Sequence, residues 1–169
     1  MNTRDYRRSN QVYTYDLQPD QASITALESL LAATTAAERE KHGAELLASL
    51  CGLAGIAPPR LLVLDAPRPH RVRDGRTVYQ RYGSYSPRTK TIRLHNRTAR
   101  LGRAVASATF LETLVHELMH HWDFELLRLR SSLHTSGFYH RLGSVKRRLL
   151  EAYVPWPVPP LNRVETFEQ

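Results

Sequence analysis

The feature that most constrains this chain is the run His116, Glu117, Leu118, Met119, His120, set among the apolar residues Leu114, Val115 and Leu118. Positions four apart on a helix project only about 40° from each other, so both imidazoles leave one face. Phe110, Leu114, Leu118, Leu126 and Leu129 recur at helical spacing around the run. Thr109 and Glu112 have the spacing of a capping box, in which a hydroxyl accepts an orphan N–H and a carboxylate reaches back. The expectation is one long helix ending near Arg130, buried along its apolar stripe.

Around that helix the chain reads as one α+β domain. Ile24, Leu27, Leu30 and Leu31 predict a helix from Asp20, its N-cap, to about Ala33. A second capping box, Thr35 with Glu38, opens a helix through Leu46, Leu47 and Leu50 that fades at Gly52 and Gly55, before Pro58 and Pro59. Leu61 to Leu64, Thr77 to Tyr82 and Thr89 to His95 alternate or run apolar as strands do. In the third, Ile92 and Leu94 share one face, and Thr91 and Arg93 the other. Residues 83–88 carry turn chemistry, which predicts a hairpin between the second and third strands. A last helix, capped by Ser136, runs from Gly137 to about Tyr153 and carries Phe138, Leu142, Val145, Leu149 and Leu150. The expected layout is an N-terminal arm or frayed end at 1–18, a single domain at 19–153 and a Pro-rich tail at 154–169 that cannot be helix.

Composition narrows the class. Over 169 residues, 41% are apolar and 24% charged, which is globular. The single cysteine, Cys51, excludes internal disulfides, multi-cysteine zinc modules and iron–sulfur clusters. No apolar run approaches the roughly 20 residues that cross a bilayer, and the charged N-terminus has no apolar stretch behind it. A cytoplasmic, monomeric protein without membrane contact is expected. Charge is uneven: between Arg60 and Arg103 stand 12 Lys and Arg against only Asp65 and Asp74, more than the net +8 of the whole chain. Such a field attracts DNA or another polyanion, although no helix-turn-helix, finger or RNA-binding-sheet signature accompanies it.

The His pair is where chemistry enters. Two neutral nitrogens on one helical face can share a Zn²⁺ at about 2.0–2.1 Å each. Glu117 lies beside the open position, where its carboxylate can take a proton from zinc-bound water. With 8 His and 10 Glu in the chain, random placement yields only about 0.02 such matches, so the pattern calls for a cause. His121 points about 100° away and is expected beside the site or at the surface. A catalytic zinc needs a third protein ligand. His134, beyond the helix, is the preferred candidate; His140, Glu151 and Asp123 are the rivals, with Asp123 better suited to supporting a ligand than to being one. Tyr85, Tyr139 and His140 are candidate donors to the tetrahedral oxyanion.

Taken with His134 and Phe138 four residues later, the motif resembles the SprT-like metallopeptidases, a branch of the zincins, over roughly residues 45–150. The resemblance implies a zincin-like α+β fold with helices on a small Arg-rich sheet. It implies a zinc-dependent endopeptidase acting on protein substrates, with His116, His120 and His134 as ligands and Glu117 as general base. It also implies that the strand at 89–95 is the edge that pairs with an extended peptide, a mode in which main-chain hydrogen bonds do the binding. Some relatives act on proteins crosslinked to DNA, which the basic segment would suit. Two departures stand out: Thr135 follows His134 where the family has Gly, and the Cys-rich zinc ribbon of many relatives is missing. Two other readings compete: a basic nucleic-acid-binding protein with a non-catalytic zinc, and a regulatory peptidase with a His-His-Glu site that cleaves one partner.

Overall fold

The computed structural model describes residues 4–74 and 76–153, with 77–79 by backbone alone. The proline-rich tail lies outside the described residues. The architecture is mixed α+β: five helices and a small three-stranded mixed sheet, with a separate two-stranded ribbon. Among the described residues, no helix is long and apolar enough to cross a membrane.

Helix α1 (Arg4–Ser9) is short. Helix α2 (Gln21–Ala32) starts where Asp20 accepts the Ser23 N–H, and α3 (Ala36–Leu53) starts at a complete Thr35–Glu38 capping box. Both helices end as their apolar spacing runs out, and they pack on each other through Leu27, Leu30, Leu46, Leu47 and Leu50, all but fully buried. Strand β1 (Arg60–Pro67) follows, then β2 (His70–Arg73) and β3 (Arg76–Gln80), which pair antiparallel as the ribbon. Strands β4 (Gly83–Ser86) and β5 (Thr91–Arg97) complete the sheet in the order β1-β5-β4, with β1 parallel and β4 antiparallel to β5. Helices α4 (Ser107–Glu125) and α5 (Ser136–Tyr153) close the core with Phe110, Leu114, Leu118, Trp122, Phe138 and Val145.

Several expectations change. The hairpin is β4–β5, closed by a turn at 87–90, and the strand at 76–80 pairs with β2 instead. Gly83 had read as turn chemistry, but it sits in a strand at a close approach. A Cβ there would come to 3.0 Å from Thr113 Cγ2 on α4 and 3.1 Å from the Arg93 carbonyl oxygen. The strand at 89–95 is accordingly not an edge: β5 is central, and the edge on the α4 side is β4. Ile92 and Leu94 do face the core, but Thr91 is buried as well.

Helix α4 begins at Ser107 without a side-chain cap. The Ser107 hydroxyl receives a hydrogen bond from Arg39, which leaves Thr109 already inside the first turn. The helix also stops at Glu125 rather than near Arg130. Arg128 adopts a left-handed φ of 52°, a conformation that ends a helix. Finally, the hydroxyl that caps α5 is that of Thr135, which accepts the Phe138 N–H, not that of Ser136.

The arm at 1–18 does not fray where it is described. Leu17 is buried, Tyr15 sets its ring edge-on to Trp122 at 4.9 Å, and Ser9 is fully enclosed.

Candidate metal centre

Helix α4 projects His116 and His120 from one face, as four-residue spacing requires. The segment 126–135 then turns back and lays His134 against them. Nε2 of His134 lies 3.1 Å from Nε2 of His116 and 3.1 Å from Nε2 of His120. These three are the group of potential ligand residues found among the described residues, with their ligand atoms all within 4.8 Å of one another. The rivals lie elsewhere. Glu151 borders a separate cavity with Arg147 and Arg148, and the ring of His140 packs edge-on against Tyr13 at 5.1 Å. Asp123 is fully buried and contacts the cluster only through another residue.

Hydrogen bonding sets the orientation of His120. Asp123 pairs with Arg141 at 2.8 Å in a fully buried ion pair, so its carboxylate can only accept. Ser132 Oγ donates its one proton to Asp123 Oδ2 at 2.7 Å and therefore accepts Nδ1–H of His120, also at 2.7 Å. That places the His120 lone pair on Nε2, facing the cluster. Burial, then the neighbouring rings, push the His120 pKa down to about 3, and burial lowers that of His116 as well. Both rings are thus neutral near pH 7, the form that binds metals.

The donor set fits zinc. One proton on Nε2 of His134 cannot lie along both of its short N···N contacts, whereas a shared cation would satisfy both. Ligands arranged tetrahedrally at 2.0–2.1 Å stand about 3.3 Å apart, close to the 3.1 Å of those two contacts.

Glu117 follows His116 on α4 and is buried to 6% exposure. Burial pushes its pKa up to about 7, opposed by the Tyr85 backbone N–H that it accepts and by the charge of Arg81. Its side chain, the three imidazoles and strand β4 all line one open cleft of about 1070 Å³. His121, by contrast, is fully buried and faces away. Its Nε2–H donates to the Ala57 carbonyl, and Nδ1 accepts the Tyr85 hydroxyl proton at 2.9 Å. His121 is therefore not a surface residue, and Tyr85 has its hydroxyl committed away from any oxyanion. Tyr139 sets its ring 5.9 Å from that of His134, outside the residues that line the cleft.

Sequence reasoning missed the residues that hold the 126–135 segment. Asp5 accepts the backbone N–H groups of Arg130 and Ser131, and Arg8 donates to the Leu127 carbonyl. Ser9 Oγ pairs with Thr135 Oγ1, and Asn10 accepts the Gly137 N–H. Arg141 ties the arm to the site by donating to Ser9 O, Val12 O and Asp123. At Gly137 a Cβ would collide with the Ser9 carbonyl, so the arm can lie this close only over glycine. Thr135, in the position after His134, uses its hydroxyl for both the α5 cap and the arm. No local pattern announces these contacts, because their partners are more than a hundred residues apart in the chain.

Part of the basic charge is engaged within the fold. Arg68 is buried with its guanidinium 4.1 Å from the Tyr82 ring centroid. Arg97 pairs with Asp65 and Lys90 with Glu125, while Arg71, Arg73 and Arg76 stand exposed on the ribbon. Compared with protein-family models, with curated proteins and with solved structures, the chain matches none of them, and the site is read from its own geometry.

Proposed function

We propose that this chain is a zinc-dependent endopeptidase of the SprT-like kind, with His116, His120 and His134 as ligands and Glu117 as general base. One observation carries the reading: three Nε2 atoms converge beside a buried carboxylate in an open cleft walled by a strand edge. Zinc held there would polarise a scissile carbonyl and bring the pKa of water toward about 7. Glu117 takes the proton of the attacking water on its carboxylate and returns it to the departing amine. A base with a pKa near the working pH suits both transfers. An extended peptide can lie along β4, in place of the strand first expected to bind it.

The reading is tested with unfolded casein. Glu117→Gln is expected to keep stoichiometric zinc and lose turnover by about 10²–10⁴; casein cleavage at the wild-type rate would end the proposal. His134→Ala is expected to lose zinc and Glu151→Ala to keep it, and the reverse would favour the His-His-Glu site.

The exposed arginines of the β2–β3 ribbon favour a second reading, a nucleic-acid-binding protein with a non-catalytic zinc. Structural zinc sites are closed by four protein ligands, whereas three converge here among the described residues, beside an open cleft. Bound zinc without peptide cleavage, together with salt-sensitive DNA binding, would support it.

A further inference from the structure

Arg130 and Ser131, which line the cleft, also line a second cavity of about 490 Å³. Four arginines line it, Arg4, Arg8, Arg128 and Arg130, against the single carboxylate of Asp5. Asp5 is already engaged by the backbone N–H groups of Arg130 and Ser131, and Arg8 by the Leu127 carbonyl. The guanidinium groups of Arg4, Arg128 and Arg130 are exposed and make no hydrogen bond or ion pair with any described residue. Like charges drawn together without a counter-charge form a receptor for an anion, and the arginine fork matches a carboxylate in particular.

The backbone supplies an independent sign. Arg128 sits at a φ of 52°, just beyond the end of α4. Glycine is the residue that takes this position without strain. Strain in a non-glycine residue concentrates at functional positions, and here it presents a charged side chain to the cavity.

We infer that this cavity receives an acidic side chain of the peptide whose backbone occupies the cleft, so that acidic extended segments are the preferred substrates. The inference rests on the peptidase reading for what lies in the cleft. A single carboxylate on a neutral backbone suits the neighbourhood better than a row of phosphates, because the cleft beyond Arg130 is of mixed charge, with Glu112 and Glu117 alongside Arg81.

The test uses the full chain, loaded with zinc and carrying Glu117→Gln so that peptides bind without turnover. Fluorescence anisotropy compares a short neutral peptide, a series in which a Glu pair is stepped along it, and a single-stranded DNA of similar length. At one placement the Glu pair is expected to tighten binding about tenfold, with the gain falling as salt is raised. R4Q/R128G is expected to erase that gain. R128G alone relieves backbone strain, so its thermal midpoint should not fall, which shows that the loop is intact. Equal binding of all peptides overturns the proposal, as does an acidic preference that survives R4Q/R128G. DNA binding tighter than the best acidic peptide, and lost in R4Q/R128G, overturns it in favour of a nucleic-acid site. If the acidic preference holds but the unsubstituted chain cleaves no peptide, the peptidase reading fails and the anion site stands.

Discussion

The helix that carries His116 and His120 and the segment that carries His134 reach the same point by opposite means. On α4, the two rings and Glu117 are fixed relative to one another by helical geometry, and the helix is fixed by its own apolar stripe. The segment 126–135 has no regular structure of its own. Its course is dictated by the left-handed turn at Arg128, by Asp5, Arg8 and Ser9 of the arm, and by the buried Arg141–Asp123 pair. A helical pair of imidazoles is a local property, whereas the third imidazole reaches them only through the whole tertiary structure. Damage to the supports of the segment should therefore weaken the metal site while α4 remains folded.

That contrast can be broken by experiment. The largest effect is expected from Arg141→Met, which leaves Asp123 as an unpaired buried charge and strips donors from Ser9 O and Val12 O. Such losses cost about 3–5 kcal/mol, to be read by urea denaturation, with zinc retention falling alongside. If Arg141→Met is as stable as wild type, the arm is not tied to the site in this way. Ser132→Ala removes the acceptor for His120 Nδ1–H together with the hydroxyl that Asp123 accepts, and leaves the Arg141–Asp123 pair in place. Substitutions of this kind lower metal affinity about 10–100-fold, to be measured by competition with a chromophoric chelator. Little change in thermal midpoint is expected, and a helix-like insensitivity of zinc binding would contradict the tautomer argument. Asp5→Ala releases two backbone N–H groups at Arg130 and Ser131. A loss of about 1–2 kcal/mol in zinc binding, the scale of one or two modest hydrogen bonds, should follow. The smallest effect sharpens the comparison from the other side. Thr35→Ala removes a helix cap far from the cluster and should cost about 1 kcal/mol of stability, with zinc affinity unchanged.

The legibility of the sequence follows the same division. Asp20 and Thr35 with Glu38 cap the helices they were expected to cap, because a cap involves only a few neighbouring residues. Thr109 and Glu112 have the same spacing and form no cap, because α4 already begins at Ser107 and Thr109 lies within its first turn. Gly83 looked like a turn residue and proved to be a point of close packing between β4, β5 and α4. Ser132 read as part of a connection and orients a ring of the cluster.

The residue pattern alone was enough to find α2 to α5, although not α1 or the true end of α4, to put two imidazoles and a carboxylate on one turn of helix, and to prefer His134 as their partner beyond it. Periodicity and capping act over a few residues, so they are written locally. Only the tertiary structure decided which strand is the edge beside the cleft, how the arm closes over 126–135 and which hydroxyl sets the tautomer of His120. Those outcomes depend on donors and acceptors that meet only after the chain has folded, often from opposite ends of it, and no local pattern encodes such a meeting.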